Sequence, residues 1–184
     1  MKIRPACEEE LLAIERLYTA VIDGMRGTPC DILWEMGVHP SRESLRAALR
    51  AGELLGAFDA DGSPLGALVL NGSQADDYRL VPCRVEAPDD AVAVVHLLAV
   101  DPAARGRGIG RSLLRVATDA AAAAGKLALR LDVFDNNAPA RALYVSCGFA
   151  DLGVRTINVG DGYVHAVNLM ELDLRNLPAS EAER

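Results

Sequence analysis

Three features of the sequence predict an α/β fold built on a mixed, mostly antiparallel sheet. AVAVVHLLAV (91–100) is a continuous apolar run of strand length. It is followed by an apolar helical face at Ile109, Leu113, Val116, Ala117, Ala120 and Ala124, and then by the alternating segment 126–134. Strand, helix and strand in that order make a parallel, right-handed βαβ unit. On either side lie hairpins: ELLGAF (53–58) and PLGALVL (64–70) around Asp59-Ala60-Asp61-Gly62-Ser63, and strands 149–158 and 163–174 around Gly160-Asp161-Gly162. Strands joined by turns this short pair antiparallel.

The remaining elements follow in chain order. Met1 to Arg4 read as a strand stopped by Pro5. Glu8 to Glu10 open a helix of about four turns, whose Leu11, Leu12, Ile14, Leu17, Tyr18, Val21 and Ile22 recur at helical spacing and face the core. The breakers in GMRGTPCDILWEMGVHP (24–40) predict an irregular segment. Ser41 caps a second helix carrying Leu45, Ala48 and Leu49, and Gly52 ends it. Residues 72–90 are polar with two prolines, and a loop of that length is expected to be functional or mobile. In 126–134, Leu127, Leu129, Leu131 and Val133 face one way, Arg130 and Asp132 the other. A short helix, 138–146, ends at Gly148. Residues 1–174 read as one domain, followed by a polar tail, 175–184.

Composition narrows the function. The 184-residue chain is 51% hydrophobic with a formal charge of −7, which repels a nucleic-acid backbone and argues against nucleic-acid partners. Any polyanion must bind locally, through a cluster such as Arg105, Arg107, Arg111 and Arg115. The four cysteines are scattered, without C-x-x-C pairs or histidines at metal-ligand spacing, and read as reduced residues with no metal site. The N-terminus lacks the apolar region of a signal peptide, and no run approaches the roughly 20 apolar residues of a membrane span. A cytoplasmic location without a membrane partner is the expectation. The oligomeric state stays open, a homodimer included.

The motif that carries chemistry is DPAARGRGIGRS (101–112). Glycines where a strand turns into a helix let backbone approach a ligand, and the unpaired N–H groups of the helix start favour an anion. The spacing fails the dinucleotide fingerprint G-x-G-x-x-G, because Gly106, Gly108 and Gly110 alternate and position 111 is Arg. No Gly-Lys-Ser or Gly-Lys-Thr exists for a P-loop.

What remains, Arg105-x-x-Gly108-x-Gly110 after a buried strand, resembles the acetyl-CoA signature R/Q-x-x-G-x-G/A of the GNAT superfamily of N-acetyltransferases. A second block, Asn137-x-x-Ala140-x-x-Leu143-Tyr144 followed by Gly148-Phe149, is similar to that family's N-x-x-A-x-x-L-Y…G-F pattern. The close match spans about residues 91–150, and the element order outside it also suits a GNAT-like sheet with helices on both faces.

The resemblance implies an enzyme that uses acetyl-CoA as donor and a primary amine as acceptor, by direct transfer in a ternary complex. A small-molecule amine is slightly favoured over a protein N-terminus or lysine. A non-catalytic acyl-CoA-binding sensor is the alternative. The CoA pyrophosphate would lie against the backbone of Arg105, Gly106, Arg107, Gly108, Ile109 and Gly110. Arg105, Arg107 and Arg111 would add charge, or else form a solvated helix face. The pantetheine arm would pair with backbone of Leu98 and Val100, where the central strand splays from its neighbour. Asn137 is both a helix N-cap and a candidate cofactor contact.

Tyr144 aligns with the family's general acid, a phenol that stays protonated at neutral pH and can donate to a departing thiolate. His96, mid-strand, is the candidate base; family members differ at this step, and some use water chains. The acceptor side would draw on segments 24–40, 72–90 and 159–162. Its candidates for a cationic amine are Asp23, Trp34, Tyr78 and the pairs Asp76-Asp77 and Asp89-Asp90.

Overall fold

Continuous apolar runs and alternating segments produce seven strands among the described residues: β1 (Lys2–Pro5), β2 (Leu54–Phe58), β3 (Pro64–Asn71), β4 (Val92–Val100), β5 (Ala128–Phe134), β6 (Ala150–Asn158) and β7 (Val164–Asp173). In the computed structural model, which describes residues 1–75, 78, 81–158 and 164–176, they form one sheet in the order β1-β2-β3-β4-β5-β7-β6. Every neighbouring pair is antiparallel except β4 and β5. The expected Gly160-Asp161-Gly162 turn, the Asp76-Asp77 pair and the tail beyond Asn176 lie outside the described residues.

Helices cover both faces. On one side α1 (Leu11–Met25) and α2 (Arg42–Arg50) bury Ile14, Tyr18 and Leu45 against Leu54, Phe58 and Ala67 of β2 and β3. On the other, α3 (Ile109–Ala123) and α4 (Ala138–Ser146) bury Leu113, Leu114 and Tyr144 against Leu129 and Leu131 of β5 and Met170 of β7. Ser41 caps α2 as expected, accepting the Ser44 N–H at 3.0 Å while the Ser44 hydroxyl accepts the Ser41 N–H at 3.1 Å. Among the described residues, no helix is long and apolar enough to cross a membrane.

Three expectations need correction. The first helix does not stop before Gly24: a 3₁₀ turn at Glu8–Glu10 leads into α1, which runs through Gly24 to Met25, since a glycine is tolerated in a final turn packed against Pro102. Leu127 does not join Leu129, Leu131 and Val133. It precedes β5 and packs with Val85, Val92 and Ala128 in a separate cluster.

The third correction concerns loop 72–90, whose described part is anchored to the sheet. Its anchor is a buried ion pair across β5 and β7, where Arg130 and Glu171 are register partners and Arg130 Nε donates to Glu171 Oε2 at 3.0 Å. Their remaining hydrogen-bonding capacity is spent on the loop. Arg130 donates to Gln74 Oε1 at 2.7 Å and to the Val85 carbonyl at 3.0 Å, and Glu171 Oε1 accepts the Arg84 and Val85 N–H groups at 2.8 and 3.0 Å. The buried Tyr78, Val81 and Val85 complete the attachment.

Removing one member of such a pair strands the other charge in the interior. Glu171→Ala is therefore expected to cost about 3–5 kcal/mol in urea unfolding, whereas replacing Arg130 and Glu171 together by apolar residues of similar size costs much less. Equal losses in the two variants would show that the pair does not act as a unit.

Candidate functional site

β4 and β5 are parallel and adjacent, but their ladder has only three pairs, Val92 with Ala128, Ala93 with Leu129 and Val94 with Arg130. Beyond Val94 the strands diverge. β4 also changes phase against β3: Val69 pairs with His96 while Ala67 pairs with Ala99, so β4 carries one extra residue. Leu97 absorbs it at φ +54°, a left-handed conformation unusual for leucine. Past the bulge the Asp101 N–H returns to the Leu65 carbonyl at 3.0 Å. By alternation, the backbone N–H groups of Leu98 and Val100 project away from β3, into the gap.

The gap leads to the glycine-rich turn. Asp101 caps a 3₁₀ turn at Pro102–Ala104, and Gly106 and Gly108 then adopt φ +78° and +76°. Gly108 is the N-cap of α3, so the first N–H groups of this helix face outward beside it. Gly110 serves a different need: a Cβ there would meet Leu143 Cδ2 at 3.0 Å and Val100 Cγ2 at 3.6 Å, so its bareness lets α3, α4 and β4 converge. Ile109 is buried beneath the turn, while Arg105 and Arg107 are exposed. Arg111 is held elsewhere. Its guanidinium donates to the Ser146 carbonyl at 3.0 Å and to the Ser146 hydroxyl at 2.9 Å, at the negative end of α4.

Where β4 and β5 part, a cavity of about 120 Å³ opens between them and segment 24–40. His96, Leu98, Asn137 and Tyr144 line it, together with Trp34 and Asp132. Tyr144 reaches it from α4, buried, and burial pushes its phenol above the ordinary tyrosine value, with the nearby Asp132 and Cys147 adding to the shift. Asn137 caps α4 by accepting the Ala140 N–H at 3.3 Å, with Pro139 in the first turn.

His96 Nε2 lies 3.1 Å from both the Ser73 carbonyl and Asn71 Oδ1. A carbonyl only accepts, so Nε2 carries the proton and Nδ1 is the ring's acceptor. Asn71 is oriented in turn by donating Nδ2–H to Glu53 at 3.0 Å. Burial lowers the His96 pKa below the ordinary histidine value, and the Asp132 carboxylate only partly opposes this.

On the acceptor side the expectations divide. Trp34 lines the cavity, packed between Tyr18 and His39 with ring centroids 6.4 and 5.7 Å away. Asp23 does not reach it: Val21 and Met25 turn inward, and Asp23 is exposed on the opposite side of α1, 3.5 Å from Arg26. Tyr78 is not an open binding residue either. It is buried, and its hydroxyl donates to Asp132, with burial and then that carboxylate keeping the phenol protonated. Asp89 and Asp90 lie in the 3₁₀ turn at Asp89–Ala91 before β4, outside the cavity.

Sequence reasoning missed Asp132 and His39. Alternation already placed Asp132 opposite Leu131; only the divergence of β5 from β4 turns that face into a cavity wall. Among the described residues, no group of three or more His, Cys, Asp or Glu is placed to hold a metal ion.

Comparison with known proteins agrees with this geometry. Residues 28–149, well over half of the chain, match the acetyltransferase (GNAT) family. The chain belongs to the GNAT family. Among its relatives is a streptothricin acetyltransferase of Streptomyces lavendulae, 31% identical over 145 residues that cover 72% of this chain and 77% of the relative. A mycothiol acetyltransferase of Beutenbergia cavernae is 43% identical over 87 residues, covering 47% of this chain but only 29% of the relative. The chain thus spans less than a third of the latter's length. Among solved structures, an N-acetyltransferase of Thermoplasma acidophilum in complex with coenzyme A shares the GNAT fold with a TM-score of 0.66 at 21% identity, covering 94% of this chain and 98% of that one.

His96 is expected to titrate below the ordinary value of 6.5 in an NMR pH titration. Asp132→Asn should lower the midpoint further, since it removes the charge that most favours the imidazolium.

Proposed function

We propose that the protein transfers the acetyl group of acetyl-CoA to a primary amine, directly, within a ternary complex. The parting of β4 from β5, with unpaired backbone on one side and Tyr144 beside it, carries this reading. The residues present fit the donor: Gly106 and Gly108 leave open space above backbone N–H groups at the start of α3, which suits a pyrophosphate. The extended N–H groups of Leu98 and Val100 suit an amide-bearing arm laid alongside as an added strand. Arg105 and Arg107 add charge at the rim, Ile109 and Gly110 shape the floor, and Asn137 flanks the cavity beside the arm. Acetyl-CoA, when bound, supplies an acetyl group activated as a thioester.

The chain's own residues then have separable tasks. Attack on a thioester places negative charge on its carbonyl oxygen, and the Leu98 N–H is the donor positioned for it. Tyr144 holds a proton at its hydroxyl and delivers it to the departing sulfur, because burial keeps the phenol protonated. On the opposite wall Asp132 attracts the acceptor's ammonium, and His96 Nδ1 takes the proton that the amine must lose. Tyr78 holds Asp132 in place.

Segment 24–40 closes over this wall, tethered by Asn136 Nδ2 donating to the Asp31 carbonyl at 2.6 Å and by Trp34 packed on Tyr18. That enclosure favours a compact amine over a protein acceptor.

A screen of primary amines that follows free-thiol release from acetyl-CoA tests the activity. Binding of acetyl-CoA without thiol release from any amine would establish a non-catalytic sensor instead. Tyr144→Phe is expected to lower kcat about 100-fold or more while the Kd for acetyl-CoA changes little; an undiminished rate removes it as the acid. Asp132→Asn should raise KM for a cationic amine about 10-fold or more, and His96→Ala should abolish the acidic limb of the pH–rate profile. An unaltered profile excludes His96 as the base.

A further inference from the structure

Tyr18 lies on α1, across the sheet from the glycine-rich turn, and none of the roles above uses its hydroxyl. It is fully buried, and its hydroxyl donates to the Leu97 carbonyl at 2.8 Å. That carbonyl belongs to the residue at φ +54° that absorbs the extra position of β4. A leucine prefers extended backbone by a margin that local sequence here does nothing to offset, since no glycine or asparagine occupies the bulge. The conformation turns the Leu97 carbonyl toward α1, where it meets Tyr18 Oη, and so sets the direction of the next N–H, that of Leu98. Burial raises the Tyr18 phenol well above the ordinary value, so the hydroxyl remains a donor at any working pH.

We propose that Tyr18 is a positioning residue: its hydroxyl holds the Leu97 bulge, and through it aims the Leu98 N–H at the carbonyl oxygen where charge develops. The inference rests on the acetyl-transfer reading. Tyr18 touches no reacting atom, but its ring also packs against Trp34 on the acceptor wall, so one side chain braces both halves of the site.

The test uses the full chain with acetyl-CoA and hydroxylamine, an acceptor that is uncharged at neutral pH and so needs no deprotonation before it attacks, together with amide hydrogen exchange across β4. Tyr18→Phe keeps the ring and loses only the donor. The expected result is a kcat about 10-fold or more lower, KM for acetyl-CoA within about two-fold of the parent, and faster exchange confined to residues 96–99 rather than spread through α1. Leu97→Gly, which adopts positive φ without penalty, should restore much of the lost kcat in the Tyr18→Phe background. An unchanged kcat, unchanged exchange at 96–99, or a Tyr18→Phe loss that is the same fraction with and without Leu97→Gly would overturn the proposal. If the parent protein releases no thiol with hydroxylamine or with any amine of the screen, the acetyl-transfer reading fails by itself, and exchange at 96–99 still decides whether Tyr18 holds the bulge.

Discussion

Two parallel strands that pair over three residues and then separate set the conditions for everything else in this molecule. Parallel strands buried on both faces normally pair along their length, because an unpaired N–H in the interior costs about as much as a lost hydrogen bond. Here β4 and β5 part after Val94 and Arg130, and the backbone of Leu98 and Val100 is left facing a gap. Such an arrangement stays stable only if the strands are held from their other sides. β3 holds β4 through Ala67, Gly66 and the Asp101 N–H, and β7 holds β5 along its whole length. The cavity is therefore a consequence of how the sheet is braced, with side chains only finishing its walls.

The two faces of the parting have different chemistry because β-strands alternate. Leu129, Leu131 and Val133 look toward α3 and α4, where Tyr144 and the glycine-rich turn lie. Arg130 and Asp132 look the other way. Arg130 is consumed by its pair with Glu171, which anchors loop 72–90; Asp132, one step further along, is beyond the last paired residue and faces the cavity. The same alternation on β4 places His96 on Asp132's side. A face built of backbone and glycine thus backs onto one built of ionisable and aromatic side chains.

Much of this organisation is legible in the residues. Glycines at 106 and 108 imply a backbone left bare at the turn, and the structure gives both of them positive φ with open space where a Cβ would stand. The Asn137 cap, the Tyr144 position on a short helix and the parallel βαβ unit all follow from local pattern, because caps, turns and alternation depend on neighbours in sequence. The misreadings share a cause. In sequence Tyr78 is a candidate for a cationic amine and Arg111 is either a charge beside a phosphate or part of a solvated helix face, yet each has a partner distant in sequence: Asp132, 54 residues on, and Ser146, 35 residues on. Loop 72–90 reads as functional or mobile because the ion pair that anchors it is split between two strands.

The sequence by itself determined the order of elements, the family, and the bare backbone of the glycine-rich turn, since these are written in local spacing and in residue types with few conformational options. Only the tertiary structure decided which polar side chains face the cavity. That choice depends on where β4 and β5 separate, on the bulge at Leu97, and on long-range partners that claim Arg130, Arg111 and Tyr78 while leaving Asp132 and His96 at the cavity. Competition among distant hydrogen-bonding groups is settled by packing, and no local pattern encodes its outcome.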